Sequence, residues 1–139
     1  MSGDLGFSPG DRRENIRRVA HVARLMADSG AVAIVSLVSP SAVDRALARE
    51  LHEAARVPFI EVYVDTPVEV CAQRDPKGLY ARARAGEVRD FTGISAPYDA
   101  PENPEILVHG AEEDVDAAAA RLLEELEKHG PERGSPAFD

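Results

Sequence analysis

Tryptophan is absent, and aromatic residues make up only 5% of the 139 residues. A core built on large rings is excluded, so each phenylalanine and tyrosine carries information by its position. The single cysteine, Cys71, rules out an internal disulfide. With no secretory pattern near Met1, the expected compartment is the reducing cytoplasm. No apolar run has the length needed to span a bilayer. Lysine and arginine number 16 against 25 acidic residues, a formal net charge of -9. Such a chain is unsuited to general nucleic-acid or anionic-membrane binding. His21, His52, His109, His129 and Cys71 show no zinc spacing, and no metal site is expected from them. What remains is 44% hydrophobic residues, enough for one globular domain.

The pattern of elements is alternating. Ser8 as N-cap, Pro9 and Asp11 open a helix whose apolar face is Ile16, Val19, Ala20, Ala23, Met26 and Ala27, with Gly30 as its stop. The run 31–38 is apolar and β-branched, and reads as a strand buried on both faces. A helix over 41–56 carries Val43, Leu47 and Leu51 on one side. A second strand covers 59–64, and Thr66 with Glu69 forms a capping box for a short helix from Pro67 to Arg74. Residues 75–105, rich in glycine and proline, read as a lid or binding loop. A third strand covers 106–109. The last helix, 112–129, turns Val115, Ala119, Leu122, Leu123 and Leu126 inward. Residues 131–139 read as a disordered tail. This order predicts an α/β layer fold with a parallel sheet, its functional residues at the carboxyl ends of the strands.

Local chemistry points to a phosphorylated ligand. Arg12 and Asn15 share a helix face near an N-terminus, suited to a phosphate or sulfate. The same pattern also describes a solvated basic face, with Phe7 as a staple onto the core. Ser39 ends an apolar run, where its hydroxyl either meets a reacting group or caps the next helix. Asp65 has the same two readings, a metal-bound water or a cap. Lys77, Arg82, Arg84 and Arg89 lie in the glycine-rich stretch 75–105 of an otherwise acidic chain, which reads either as a lid over phosphates or as a charged, solvated surface loop, and Phe91 is an aromatic able to face Phe7 across a purine.

Together these pieces are more specific than any one of them. D-L-G-F-S-x-x-D-R-x-E-N-I-R-R, a run closing in S-P, D-R-x-x-A-R-x-L, R-D-P-K-G-L-Y-x-x-A-R-A-G-E and F-T-G-I-S-A-P-Y-D-A-P-E occur in order between about Asp4 and His129. This wording resembles adenylyl-sulfate kinases. The resemblance implies a P-loop kinase fold and transfer of the γ-phosphoryl group of Mg²⁺-ATP to the 3′-hydroxyl of adenosine 5′-phosphosulfate, giving PAPS for sulfate assimilation. It implies that Phe7 and Phe91 sandwich the adenine of the acceptor, that Arg12 and Asn15 grip its phosphosulfate end, and that Val38 lies beside it. Ser39 corresponds to the active-site serine. Lys77, Arg82 and Arg84 belong to the lid over the nucleotide phosphates.

Several parts of that family's pattern have no counterpart. No G-x-x-x-x-G-K-[ST] loop occurs, nor the strand before it, the helix after it, or the D-G-D strand. The expected fold is therefore a three-layer parallel sheet of the P-loop kinase type without its first strand, P-loop and first helix, over residues 1–130 with a lid at 75–105. Mg²⁺ arrives with ATP, and no residue here is identified as its ligand. Adenosine 5′-phosphosulfate and ATP are the expected partners. Unpaired sheet edges, including 106–109, predict self-association or a sulfate adenylyltransferase partner. The isolated chain is expected to be inactive. The alternatives are a non-catalytic module that binds adenosine nucleotides or pairs with a subunit, and a decayed fragment.

Overall fold

A computed structural model describes residues 3–6 and 8–129, so Phe7 and the tail 131–139 fall outside it. The elements are α1 (Pro9–Asp28), α2 (Ala42–Ala54), β1 (Val62–Asp65), α3 (Val68–Arg74), α4 (Leu79–Arg84), β2 (Ile106–His109) and α5 (Val115–His129). No helix among them is long and apolar enough to cross a membrane.

The start of α1 follows its sequence signals. Ser8 Oγ accepts from the Asp11 amide at 3.1 Å and donates to the Asp11 carboxylate at 2.7 Å. Ile16, Ala20 and Ala23 are buried in α1, which packs against α2. On α2 the buried side chains are Asp44 and His52, while Val43 and Leu47 are exposed. Of the apolar face Val43, Leu47 and Leu51, only Leu51 is half-buried. Asp44 is drawn in because Arg13 of α1 donates to it at 2.9 Å, and His52 because its ring lies 5.1 Å from that of Phe59.

The sheet has two strands, β1 and β2, paired in parallel with Val62 opposite Ile106 and Asp65 opposite His109. Residues 106–109 are thus paired, contrary to expectation. Ile106 and Val108 form a small core with Ala118 of α5, with Ile60 and Leu122 packed against it. The inward positions of α5 are therefore Ala118 and Leu122, and Val115 is 79% exposed. Gly110 closes β2 at a tight approach, since a Cβ there would meet Thr66 Oγ1 at 2.1 Å. Thr66 thus packs against this turn, and the expected capping box is not made. Pro67 is the N-cap of α3, with no side-chain hydrogen bond. Asp65 does not cap it either, and instead accepts from the Tyr63 hydroxyl at 3.2 Å.

The largest correction concerns 31–38, which form no strand. None of the described main-chain bonds joins 32–38 to another segment. An apolar β-branched run becomes a strand only when a neighbour supplies the ladder, and β1 pairs only with β2. Val32, Ile34, Val35, Leu37 and Val38 are all exposed, Ile34 to 86%.

A charged clasp holds α2 to the two strands. Arg49 donates twice to Glu105 at 2.8 Å, and Glu105 also accepts from the Glu61 amide at 2.7 Å. The Arg49 hydrogen bonds hold the Glu105 carboxyl below its ordinary value of 4.5. A carboxyl depressed in the folded state contributes stability above its unfolded pKa, and that contribution is lost as pH falls through the folded value. The urea midpoint of the wild-type chain is expected to drop between about pH 5 and about pH 3, and the drop should be smaller in Arg49→Met. Equal drops in the two proteins would show that this clasp carries no acid sensitivity.

Candidate functional site

Two clusters contain most of the residues singled out in the sequence. The first joins the start of α1 to the middle of 75–105. The Arg12 guanidinium donates to the Thr92 hydroxyl and to the Asp90 carbonyl, across 80 and 78 residues of chain. Asp90 presents that carbonyl from a left-handed backbone, φ 54°. The next residues form a tight turn in which the Phe91 amide donates to Ser95 Oγ at 2.9 Å and the Phe91 carbonyl accepts from Ser95 N. Gly93 is required twice, by its φ of 83° and because a Cβ would lie 3.0 Å from Val68. The Phe91 ring stands edge-on to Tyr80 at 4.9 Å. Asn15 is half-buried, one turn along α1 from Arg12.

The other arginines of α1 are committed elsewhere. Arg17 and Arg18 both donate to Glu14, and Arg18 also grips Asp4 at 2.7 and 2.9 Å. Hydrogen bonds from Arg17 and then Arg18 hold the Glu14 carboxyl down to about 2. Arg12 is therefore the arginine of this helix directed at the 75–105 segment.

That segment is not a plain loop. It contains α4, entered through Gly78 in a left-handed conformation. Asp75 takes the place of a capping side chain, accepting from the Tyr80 and Ala81 amides at 3.2 and 3.1 Å. Arg82 pairs with Glu87 at 3.1 Å. Lys77 and Arg84 are exposed on the same stretch.

The second cluster surrounds Ser39. A cleft of about 130 Å³ is lined by Val38, Ser39, Arg45, Glu61, Tyr63 and Tyr98, among others. Ser39 has φ 42°, an unusual backbone for a non-glycine residue. It does not cap α2. That role belongs to Ser41, which accepts from the Asp44 amide. The Pro40 carbonyl accepts from Asp99 N at 2.9 Å, which ties the Ser39 turn to the far end of 75–105. The Tyr98 ring stacks on Tyr63 at 5.9 Å. Among the described residues, no group of three or more His, Cys, Asp or Glu side chains could hold a metal ion.

The sequence reading overlooked Arg45, Thr92, Tyr98 and Asp99. All four lie inside the quoted motifs, Arg45 in D-R-x-x-A-R-x-L and the others in F-T-G-I-S-A-P-Y-D. Nothing in their spacing marked them as partners of Ser39 or Arg12.

Residues 1–109 match the family model described as adenylylsulphate kinase. The chain belongs to the adenylylsulphate kinase family. It is 54% identical over 136 residues to the adenylyl-sulfate kinase of Penicillium chrysogenum, a match covering 94% of this chain and 64% of that enzyme. It is 51% identical to the bifunctional enzyme NodQ of Rhizobium sp. (strain BR816), over 96% of this chain and 21% of NodQ. Among solved structures, the Mycobacterium tuberculosis APS kinase CysC in complex with AMPPNP and APS superposes with a TM-score of 0.85 at 50% identity. That superposition covers 89% of this chain and 71% of CysC. The α/β architecture with a parallel sheet is therefore that of APS kinases. The chain spans just under two thirds of the length of the curated kinases from Penicillium and Emericella, 64% and 65%.

Proposed function

We propose that these 139 residues form the acceptor-binding portion of an adenylyl-sulfate kinase, and that they lack the parts that hold ATP. The whole reaction joins the 3′-oxygen of adenosine 5′-phosphosulfate to the γ-phosphorus of ATP. The bond to the β-phosphate oxygen breaks, ADP leaves, and the 3′-hydroxyl loses its proton. PAPS is the product, which places the protein in sulfate assimilation, in the cytoplasm. Ser39 and Val38 stand beside the reacting end. Arg12 and Asn15 take the phosphosulfate, Phe7 and Phe91 take the adenine, and Lys77, Arg82 and Arg84 belong to a lid over residues 75–105.

The observation that carries this reading is the Arg12 contact with Asp90 and Thr92. It brings a cationic helix start and the aromatic turn of the lid to one place, as an anion attached to a flat base requires. No G-x-x-x-x-G-K-[ST] sequence occurs in the chain, and this loop cradles the β- and γ-phosphates in P-loop enzymes. Mg²⁺ enters with ATP.

Calorimetry with adenosine 5′-phosphosulfate tests the proposal. A saturable heat corresponding to one site per chain is expected. A folded protein that gives no heat would refute it. The exposed side chains of 32–38 favour a second property, uptake of another polypeptide by this surface. The match to a fifth of a bifunctional enzyme supports a partner domain; the one proposed is a sulfate adenylyltransferase, with self-association as the other outcome.

A further inference from the structure

Arg45 makes three different bonds with one planar group. Its Nε donates to Glu61 at 2.7 Å, one terminal nitrogen to the Ser39 carbonyl at 2.7 Å, and the other to the Asp99 carbonyl at 2.6 Å. The side chain is only 12% exposed, and its guanidinium lies 5.6 Å from the centre of the Tyr98 ring. Three segments far apart in sequence meet on it: the Ser39 turn, the end of the lid and the residue leading into β1. Two further bonds close the same junction. The Asp99 amide donates to the Pro40 carbonyl at 2.9 Å, and the Ala42 amide donates to the Asp99 carboxylate at 3.3 Å.

Ser39 sits in a left-handed conformation, which costs free energy for any residue with a side chain. Something must hold it there. The Ser39 main-chain carbonyl is held by Arg45, and the carbonyl that follows it by Asp99 N. We infer that Arg45 is a positioning residue, which locks the Ser39 turn in its strained conformation and fixes the lid's C-terminal end to that turn. Asp99 is thereby tied to the Ser39–Pro40 main chain. The consequence for catalysis rests on the acceptor-site reading above. The positioning itself does not.

A lysine keeps the charge but offers no planar fork, so it cannot serve three diverging acceptors. Amide hydrogen exchange reads the junction directly. In Arg45→Lys the Asp99 amide is expected to exchange at least about tenfold faster than in the wild type, while the amides of β2 stay protected. Glu61→Gln keeps an acceptor for Nε and both carbonyl bonds, and is expected to stay within about twofold of wild type. Adding Ser39→Gly to Arg45→Lys removes the cost of the left-handed turn and should restore a large part of the lost protection.

An Asp99 amide unaffected by Arg45→Lys would overturn the inference. So would a loss in Glu61→Gln as large as in Arg45→Lys, which would assign the effect to charge alone. Strict additivity of the Ser39 and Arg45 substitutions would also overturn it. Adenosine 5′-phosphosulfate titrations of the same proteins separate the two proposals. If the wild type binds no ligand while Arg45→Lys still loosens Asp99, the acceptor-site reading fails and the positioning role stands.

Discussion

Arg12→Ala is expected to weaken adenosine 5′-phosphosulfate binding by about 10- to 100-fold, because a hydrogen bond to a charged group contributes about 1.5–3 kcal/mol and each 1.4 kcal/mol is about tenfold. Arg12 stands in the first turn of α1, where the exposed amides of a helix start add to its field. Its present partners include a hydroxyl and a carbonyl, both neutral. A sulfate or phosphate oxygen brings a full charge and can displace them. The lid contact must then be remade around the ligand, which couples binding to lid position. Arg17→Ala serves as the control. Arg17 is spent on Glu14 at 2.7 and 2.9 Å, so its removal should change binding less than about twofold. Equal losses from the two substitutions would show a diffuse basic face instead of a directed ligand contact.

Incubated with Mg²⁺-ATP and adenosine 5′-phosphosulfate, the 139-residue chain is expected to form no PAPS above the rate seen with heat-denatured protein. Phosphoryl transfer leaves the protein little covalent work. Positioning and charge stabilisation supply nearly all the acceleration, and a single arginine aimed at the transferring group provides about 10³–10⁵ in rate. Here the loop amides, the loop lysine and the Ser/Thr that holds Mg²⁺ have no counterpart in the sequence. Steady turnover that scales with protein concentration would show that ATP is held by residues outside that pattern.

The residues disclosed the family more readily than the packing. Local signals worked where the physics is local. Ser8, Pro9 and Asp11 start α1 as their chemistry dictates, because a cap needs only its own first turn. The run 31–38 failed because strand formation is a property of two segments, and its composition is silent about whether a partner lies beside it. Val115, Ala119 and Leu123 were expected inside and are exposed for the same reason, since an apolar stripe shows what a helix can bury without showing what it meets. The six residues of α4 were hidden by Gly78 and Gly86, and by a cap, Asp75, set five and six residues before the amides it serves.

At the site, the sequence pointed through family motifs to Arg12, Ser39 and Phe91 as candidates, whose roles are proposals. It could not show which arginine of α1 faces the lid. Glu14 binds Arg17 and Arg18, Asp44 binds Arg13 and Asp28 pairs with Arg24, choices that the five arginines of α1 alone do not reveal. Nor could it show that Arg45 reaches the Ser39 carbonyl six residues back and the Asp99 carbonyl 54 residues on. Those contacts depend on how α2, the Ser39 turn and the 75–105 segment come together.

The most direct measurement is a paired equilibrium dialysis of the chain against adenosine 5′-phosphosulfate and against Mg²⁺-ATP. The expected result is saturable retention of the phosphosulfate and none of ATP at the same concentrations. Tighter retention of ATP than of adenosine 5′-phosphosulfate would contradict the division of labour proposed for these residues.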